Sequence, residues 1–140
     1  MNMQCKTGLS VQPPSTQAVT TKTHMPQVKD WLLHGYDLQS RGQLIHALRC
    51  YDEALKLKPN LIAGWILKGS ALRQLERPFE AVLCFDMAMV IDPKSTTALV
   101  HKATALMDCR QYLESLHCYE KALRISTGPI LQSADYLDQL

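Results

Sequence analysis

The chain has 140 residues, one domain's worth and enough to build a single core. Fifteen Lys and Arg against thirteen Asp and Glu leave a net charge of +2, too even a balance to favour nucleic acid or an anionic membrane. No stretch approaches the ~18 consecutive apolar residues of a membrane span, and the first residues, MNMQCKTGLSVQPP, lack the roughly 7–15-residue apolar core of a secretory signal. Asn2 stands where N-myristoylation requires glycine. Cys5, Cys50, Cys84, Cys109 and Cys118 are odd in number and contain no CxxC pair. They read as free thiols in a reducing compartment, and the expected location is the cytoplasm.

Residues 1–27 form the first segment. They are rich in Ser, Thr, Gln and Pro, and they lack a helical apolar period until Val28. Such a stretch buries too little to offset its ordering entropy and is expected to be a flexible tail. From Val28 the period becomes helical: Trp31, Gly35 and Leu38 fall at i, i+4, i+7, on one face. Ser40-Arg41-Gly42-Gln43 interrupts that helix, and a second follows with Ala47, Tyr51, Ala54 and Leu55 on one stripe. Lys58-Pro59-Asn60 ends it, because proline removes a donor and disfavours helix in the residue before it.

The unit then repeats. Trp31 and Trp65 lie 34 residues apart, as do Gly35 and Gly69, Leu38 and Leu72, Ala47 and Ala81, Cys50 and Cys84, Ala54 and Ala88, and Pro59 and Pro93. A third copy continues with Leu99, Ala103, Leu106, Ser115, Cys118, Tyr119, Ala122 and Thr127. A fixed period of this size marks a stack of helical hairpins, and three copies is the number such a stack usually needs. The expected units are 28–61, 62–95 and 96–129. Residues 130–140, with Ile130, Ala134 and Leu137 on one stripe, are expected to form a capping helix over the last hairpin. Within each hairpin the small residues (Gly35 and Ala47, Gly69 and Ala81, Ala103 and Ser115) are expected to face each other and let the backbones approach. Pro78 suits the first turn of its helix. The signature residues Trp31, Gly35, Ala47 and Pro59 should mostly be hidden, and the third hairpin, without Trp, should be the softest.

The pattern W-x3-G-x2-L…A-x3-[YF]-x2-A…P at a 34-residue step resembles the tetratricopeptide repeat (TPR). The resemblance covers roughly Val28 to Pro129 and the cap. It implies an all-α, right-handed superhelical solenoid whose first helices line a concave groove, used in the family to hold a peptide or helix of another protein. His34, Lys68, Leu99, Ala103, Ser115 and Thr127 depart from the pattern.

If the Trp–Gly–Leu stripe is buried, the opposite stripe of each first helix faces that groove. In the first unit it carries Lys29, Leu32, Leu33, Tyr36 and Gln39. Ala63, Ile66, Leu67, Ser70 and Arg73 follow in the second, and Thr97, Val100, His101, Thr104 and Met107 in the third. The lining is mainly apolar or neutral and suits an amphipathic helix or short extended segment. Leu32, Ile66 and Val100, themselves one period apart, either face the groove or pack on the neighbouring helix. In one branch of the family a clamp of Lys, Asn, Asn, Lys and Arg grips the C-terminal carboxylates of heat-shock proteins. Carried over by position these would be Leu32, Tyr36, Leu67, Thr97 and His101. None matches, so no carboxylate-clamp recognition is expected.

The remaining candidates point away from catalysis. Cys50, Cys84 and Cys118 share one repeat position, but helices pack about 8–10 Å apart, beyond the reach of a disulfide or of one shared zinc. They read as small core residues. His46 with Cys50, and His117 beside Cys118, supply too few ligands for zinc and lack an oxyanion device for nucleophilic chemistry. The expectation is therefore a non-catalytic adaptor or scaffold with a protein or peptide partner. It carries no metal, no cofactor, no nucleic-acid partner and no membrane partner. The alternatives are a small chaperone for secreted or assembly partners and an accessory subunit of an enzyme complex.

Overall fold

A computed structural model describes residues 25–128. Among them six α-helices run in order: α1 Val28–Ser40, α2 Leu44–Leu57, α3 Ile62–Gln74, α4 Pro78–Ile91, α5 Thr96–Asp108 and α6 Tyr112–Thr127. The 130–140 helix and nearly all of the 1–27 tail lie outside the described residues. The chain divides into two compact units, one through Pro59 and one from Asn60. In the first, α1 packs on α2. In the second, α3 packs on α4 and α5 on α6, while α5 also lies against α4 and touches α3.

Each first helix ends in the same way, and the ending sets the hairpin. Gln43 N–H donates to the Leu38 carbonyl at 2.8 Å and Gly42 N–H to the Gln39 carbonyl at 2.9 Å. This paired arrangement satisfies carbonyls that a helix end leaves bare. It recurs as Arg77 to Leu72 with Glu76 to Arg73, and as Gln111 to Leu106 with Arg110 to Met107. The turn requires a left-handed residue, and φ is +79° at Gly42, +60° at Glu76 and +64° at Arg110. Glycine adopts that conformation without strain, whereas a Cβ meets the adjacent carbonyl. The starts are more varied. Asp30 accepts from Gln27 N–H at 2.7 Å, Pro78 occupies the first turn of α4, and Ser95 Oγ accepts from Ala98 N–H at 3.2 Å.

The core of the first two hairpins is a ring laid on a glycine. A Cβ built on Gly35 would sit 2.6 Å from Cε1 of Tyr51, and one on Gly69 would sit 2.5 Å from Cε1 of Phe85. The glycines therefore make room for the aromatic of the second helix. Tyr51 and Phe85 are fully buried as a result. In the third hairpin alanine stands at 103, and Tyr119 is only half-buried. There Leu99, Ala103, Leu106, Cys118 and Ala122 form the cluster, with Val82 and Met89 of α4 packed against it. Ser115 is tolerated at a buried position because its hydroxyl donates to the Ala103 carbonyl at 2.7 Å, which satisfies a group that would otherwise cost stability.

Three signature residues are less hidden than expected. Trp31 and Trp65 are half-buried, and Pro59 is exposed, so its role is to stop α2 rather than to pack. Lys68 Nζ lies 5.5 Å from the Trp65 ring centre, within cation–π range.

Gly69→Ala should destabilise the protein by about 1–3 kcal/mol in urea unfolding, although alanine is the better helix former. Phe85 is held from both sides and has nowhere to move. Exchanging the left-handed residues should act in the opposite sense at different sites. Glu76→Gly or Arg110→Gly should raise the unfolding free energy and Gly42→Ala should lower it, each by up to about 1 kcal/mol and read as a shift of the thermal midpoint in the same direction. A Cβ at Gly42 would meet nothing within 4 Å, so its cost there lies in the backbone alone.

Candidate functional site

The outward stripes of the first helices divide between the two units. On α1, Lys29, Leu33 and Tyr36 are exposed, Tyr36 by 61%, while Leu32 and Gln39 are half-buried. Gln39 Oε1 accepts a hydrogen bond from the Tyr51 hydroxyl at 2.7 Å, which ties the stripe to the buried ring. The Tyr51 hydroxyl is itself pushed to a higher pKa by burial and stays protonated.

In the second unit Ile66, Leu67, Ser70 and Arg73 on α3 are half-buried, as are His101 and Thr104 on α5, while Val100 and Met107 are exposed. Thus Val100 stands in the open, and Leu32 and Ile66 are partly covered. Several polar members are held by the scaffold. The His101 ring stacks on Phe85, with centroids 5.5 Å apart and planes inclined by 24°. Burial in that contact, and then the nearby Arg73 charge, lower its pKa below the usual 6.5. Arg73 Nε donates to Asp108 Oδ2 at 2.7 Å, joining α3 to α5 and pairing the guanidinium with a carboxylate. Thr104 donates to the Val100 carbonyl at 2.8 Å and lies 3.1 Å from the Tyr119 hydroxyl. Tyr119 in turn reaches Met107 Sδ at 3.9 Å.

Sequence reasoning missed Asp108 and Tyr119 as members of this site. Asp108 continues the i, i+4 series from Val100 and Thr104, a signal present in the sequence. Thr97, Val100 and His101 of α5 also meet Tyr119, Ala122 and Leu123 of α6 around an open, largely apolar cavity of ≈ 480 Å³, completed by Thr96 and Ser126. Asp86 pairs with Lys102 at 2.6 Å beside these elements.

The thiols are packed rather than poised. Cys50, Cys84 and Cys118 are buried and form no disulfide. Burial raises the Cys50 pKa to about 11 and moves Cys118 in the same direction. A thiol in that state is a poor nucleophile and a poor ligand. The geometry offers contact surface: apolar side chains at helical spacing with hydrogen-bonded polar neighbours.

The sequence profile of the tetratricopeptide repeat matches residues 96–128. No curated protein sequence matches significantly. Among solved structures, the chain is similar to the TPR2B domain of yeast Sti1 in its pHsp70 complex, at 25% identity and TM-score 0.68, covering 80% of this chain and 90% of that one. It also resembles the Sgt2 TPR domain from Aspergillus fumigatus, at 21% identity and TM-score 0.70, covering 74% and 69%. The second TPR of Spaghetti, bound to the HSP90 peptide SRMEEVD, aligns at 17% identity and TM-score 0.67, covering 71% and 92%.

Because His101 is held neutral in the fold, protonation opposes folding. Its folded pKa lies below the unfolded value near 6.5, so its contribution is complete above pH 6.5 and is lost as pH falls through the folded pKa. Unfolding free energy should therefore decline as pH drops below 6.5, and His101→Gln should flatten that part of the urea-unfolding profile.

Proposed function

We propose that this chain, a tetratricopeptide repeat protein, is a non-catalytic protein-interaction adaptor. It captures a peptide or short helix of another protein against the outward stripes of its first helices. Proteins of this repeat fold include ones solved with bound peptides, which supports a protein or peptide partner. The observation that carries the reading is the exposure of Leu33 and Tyr36 on α1 and of Val100 and Met107 on α5, large apolar side chains at helical spacing. An amphipathic helix or extended segment with apolar anchors complements such a surface.

The same reasoning separates this chain from neighbours that bind acidic heat-shock tails. The five positions that would grip a terminal carboxylate hold Leu32, Tyr36, Leu67, Thr97 and His101. Arg73, the guanidinium near His101 in the second unit, already pairs with Asp108. A carboxylate would lose its hydration there with little charge to replace it. The repeat limits 28–61, 62–95 and 96–129 belong to this proposal. So does a cytoplasmic location, which the buried free thiols favour. No helix among the described residues is long and apolar enough to cross a membrane.

Affinity capture with mass spectrometry, comparing the wild-type chain with a Tyr36→Glu, Val100→Glu variant, tests the assignment. The variant should lose its partner while keeping its helical circular dichroism; undiminished capture would mean that recognition lies elsewhere. In parallel, fluorescence anisotropy with the peptide SRMEEVD should give no saturable binding at micromolar concentration.

A further inference from the structure

The α4 helix is apolar on two faces. One face carries Ala81, Cys84, Phe85 and Ala88 and is buried. The other carries Phe79, Leu83, Met87 and Val90, which are 64%, 64%, 42% and 74% exposed. Their spacing of four, four and three residues makes a single stripe along the helix. A helix that is apolar all round is normally covered all round. The repeat itself sharpens the contrast. The equivalent positions are Ile45, Arg49, Glu53 and Lys56 on α2, and Leu113, His117, Lys121 and Arg124 on α6. Only the first position is apolar in those helices; the other three are cationic, acidic or imidazole, as a wetted face should be.

We propose that this stripe is a self-association surface on which α4 packs antiparallel against α4 of a second copy of the chain. The stripe is nearly symmetric about its own middle. Turning a second α4 end for end, about an axis level with Cys84 and Phe85, sets Phe79 beside Val90 and Leu83 beside Met87. A two-fold interface needs this self-complementarity, because each residue then meets its counterpart twice. The charges at the two ends obey the same symmetry. The turn brings the exposed Glu76 level with the exposed Lys94, once at each end of the paired stripes. Opposite charges thus flank an apolar centre at both ends, as in an apolar interface core with a polar rim.

The size is suitable as well. Four such side chains expose a patch on the order of 400 Å², the core of an interface of about 800 Å² per partner once the rim is included. A net charge of only +2 leaves little long-range repulsion between copies. An unrelated partner would require neither the symmetric spacing nor the matched ends, which is why a second copy is the occupant this surface specifies. The surface lies on a second helix, and its test uses the purified chain alone, so its success or failure is independent of the capture function proposed above.

Analytical ultracentrifugation of the full chain over a concentration series tests the proposal. The expected mass at high concentration is twice 15.8 kDa. Leu83→Glu should raise the dimer dissociation constant by roughly thirtyfold or more, the effect of losing a central anchor. Its circular dichroism and melting temperature should be retained, because Leu83 is mostly exposed within the monomer. Glu76→Lys should weaken the dimer, and adding Lys94→Glu should restore it, since the reversed charges meet again across the axis. A monomer at every concentration overturns the proposal, including one in which another segment or protein covers α4. So does a dimer indifferent to Leu83→Glu or to the charge reversal.

Discussion

The contact on which the first two hairpins depend is an aromatic ring lying where a Cβ would otherwise be. Gly35 under Tyr51 and Gly69 under Phe85 leave no room for even one methyl group, the hypothetical Cβ falling 2.5–2.6 Å from ring carbon. That close approach buries the two rings completely and fixes how the first helix meets the second. The rest follows from the buried ring. In the first unit its hydroxyl orients Gln39; in the second its face supports His101. Ring and stripe are thus two sides of one packing arrangement. The third hairpin demonstrates the dependence by exception: with Ala103 beneath it, Tyr119 moves outward and its hydroxyl joins Thr104 and Met107 instead.

Much of this was legible in the sequence because the core code is periodic. The positions of all six helices follow from the 34-residue register and from its interruptions, and the buried placement of Leu38, Leu72, Leu99 and Leu106 follows from helical spacing. What the period could not convey was which side chain each small residue accommodates, since contact across a hairpin is set by helix crossing rather than by spacing. Helical spacing puts Gly35 on the inner face, and only the fold shows that the Tyr51 ring lies closest to it. The turns illustrate a related limit. Gly42 announces a left-handed residue, but Glu76 and Arg110 occupy the same conformation with no compositional sign of it.

The candidate site was less legible than the scaffold. Its residues lie on the expected faces, yet their availability depends on partners brought together by folding. Arg73 and Asp108 are separated by one residue more than a full period, so comparing equivalent positions does not pair them, although α3 and α5 do. His101 was placed on the outer stripe and yet rests on a core ring. The α4 surface escaped notice for the opposite reason. A repeat is recognised by what its copies share, whereas the Phe79 to Val90 stripe is notable for departing from both of its counterparts.

The three buried thiols give the molecule an internal clock. Cys50, Cys84 and Cys118 sit at one repeat position, one in each hairpin. Each is buried, so a water-soluble alkylating reagent reaches it readily only when its hairpin opens. The rate at which each sulfur is labelled then measures the opening of that hairpin separately, in a chain whose global unfolding would report a single value. Repetition, which makes the helices hard to tell apart by most probes, here supplies three reporters at equivalent repeat positions.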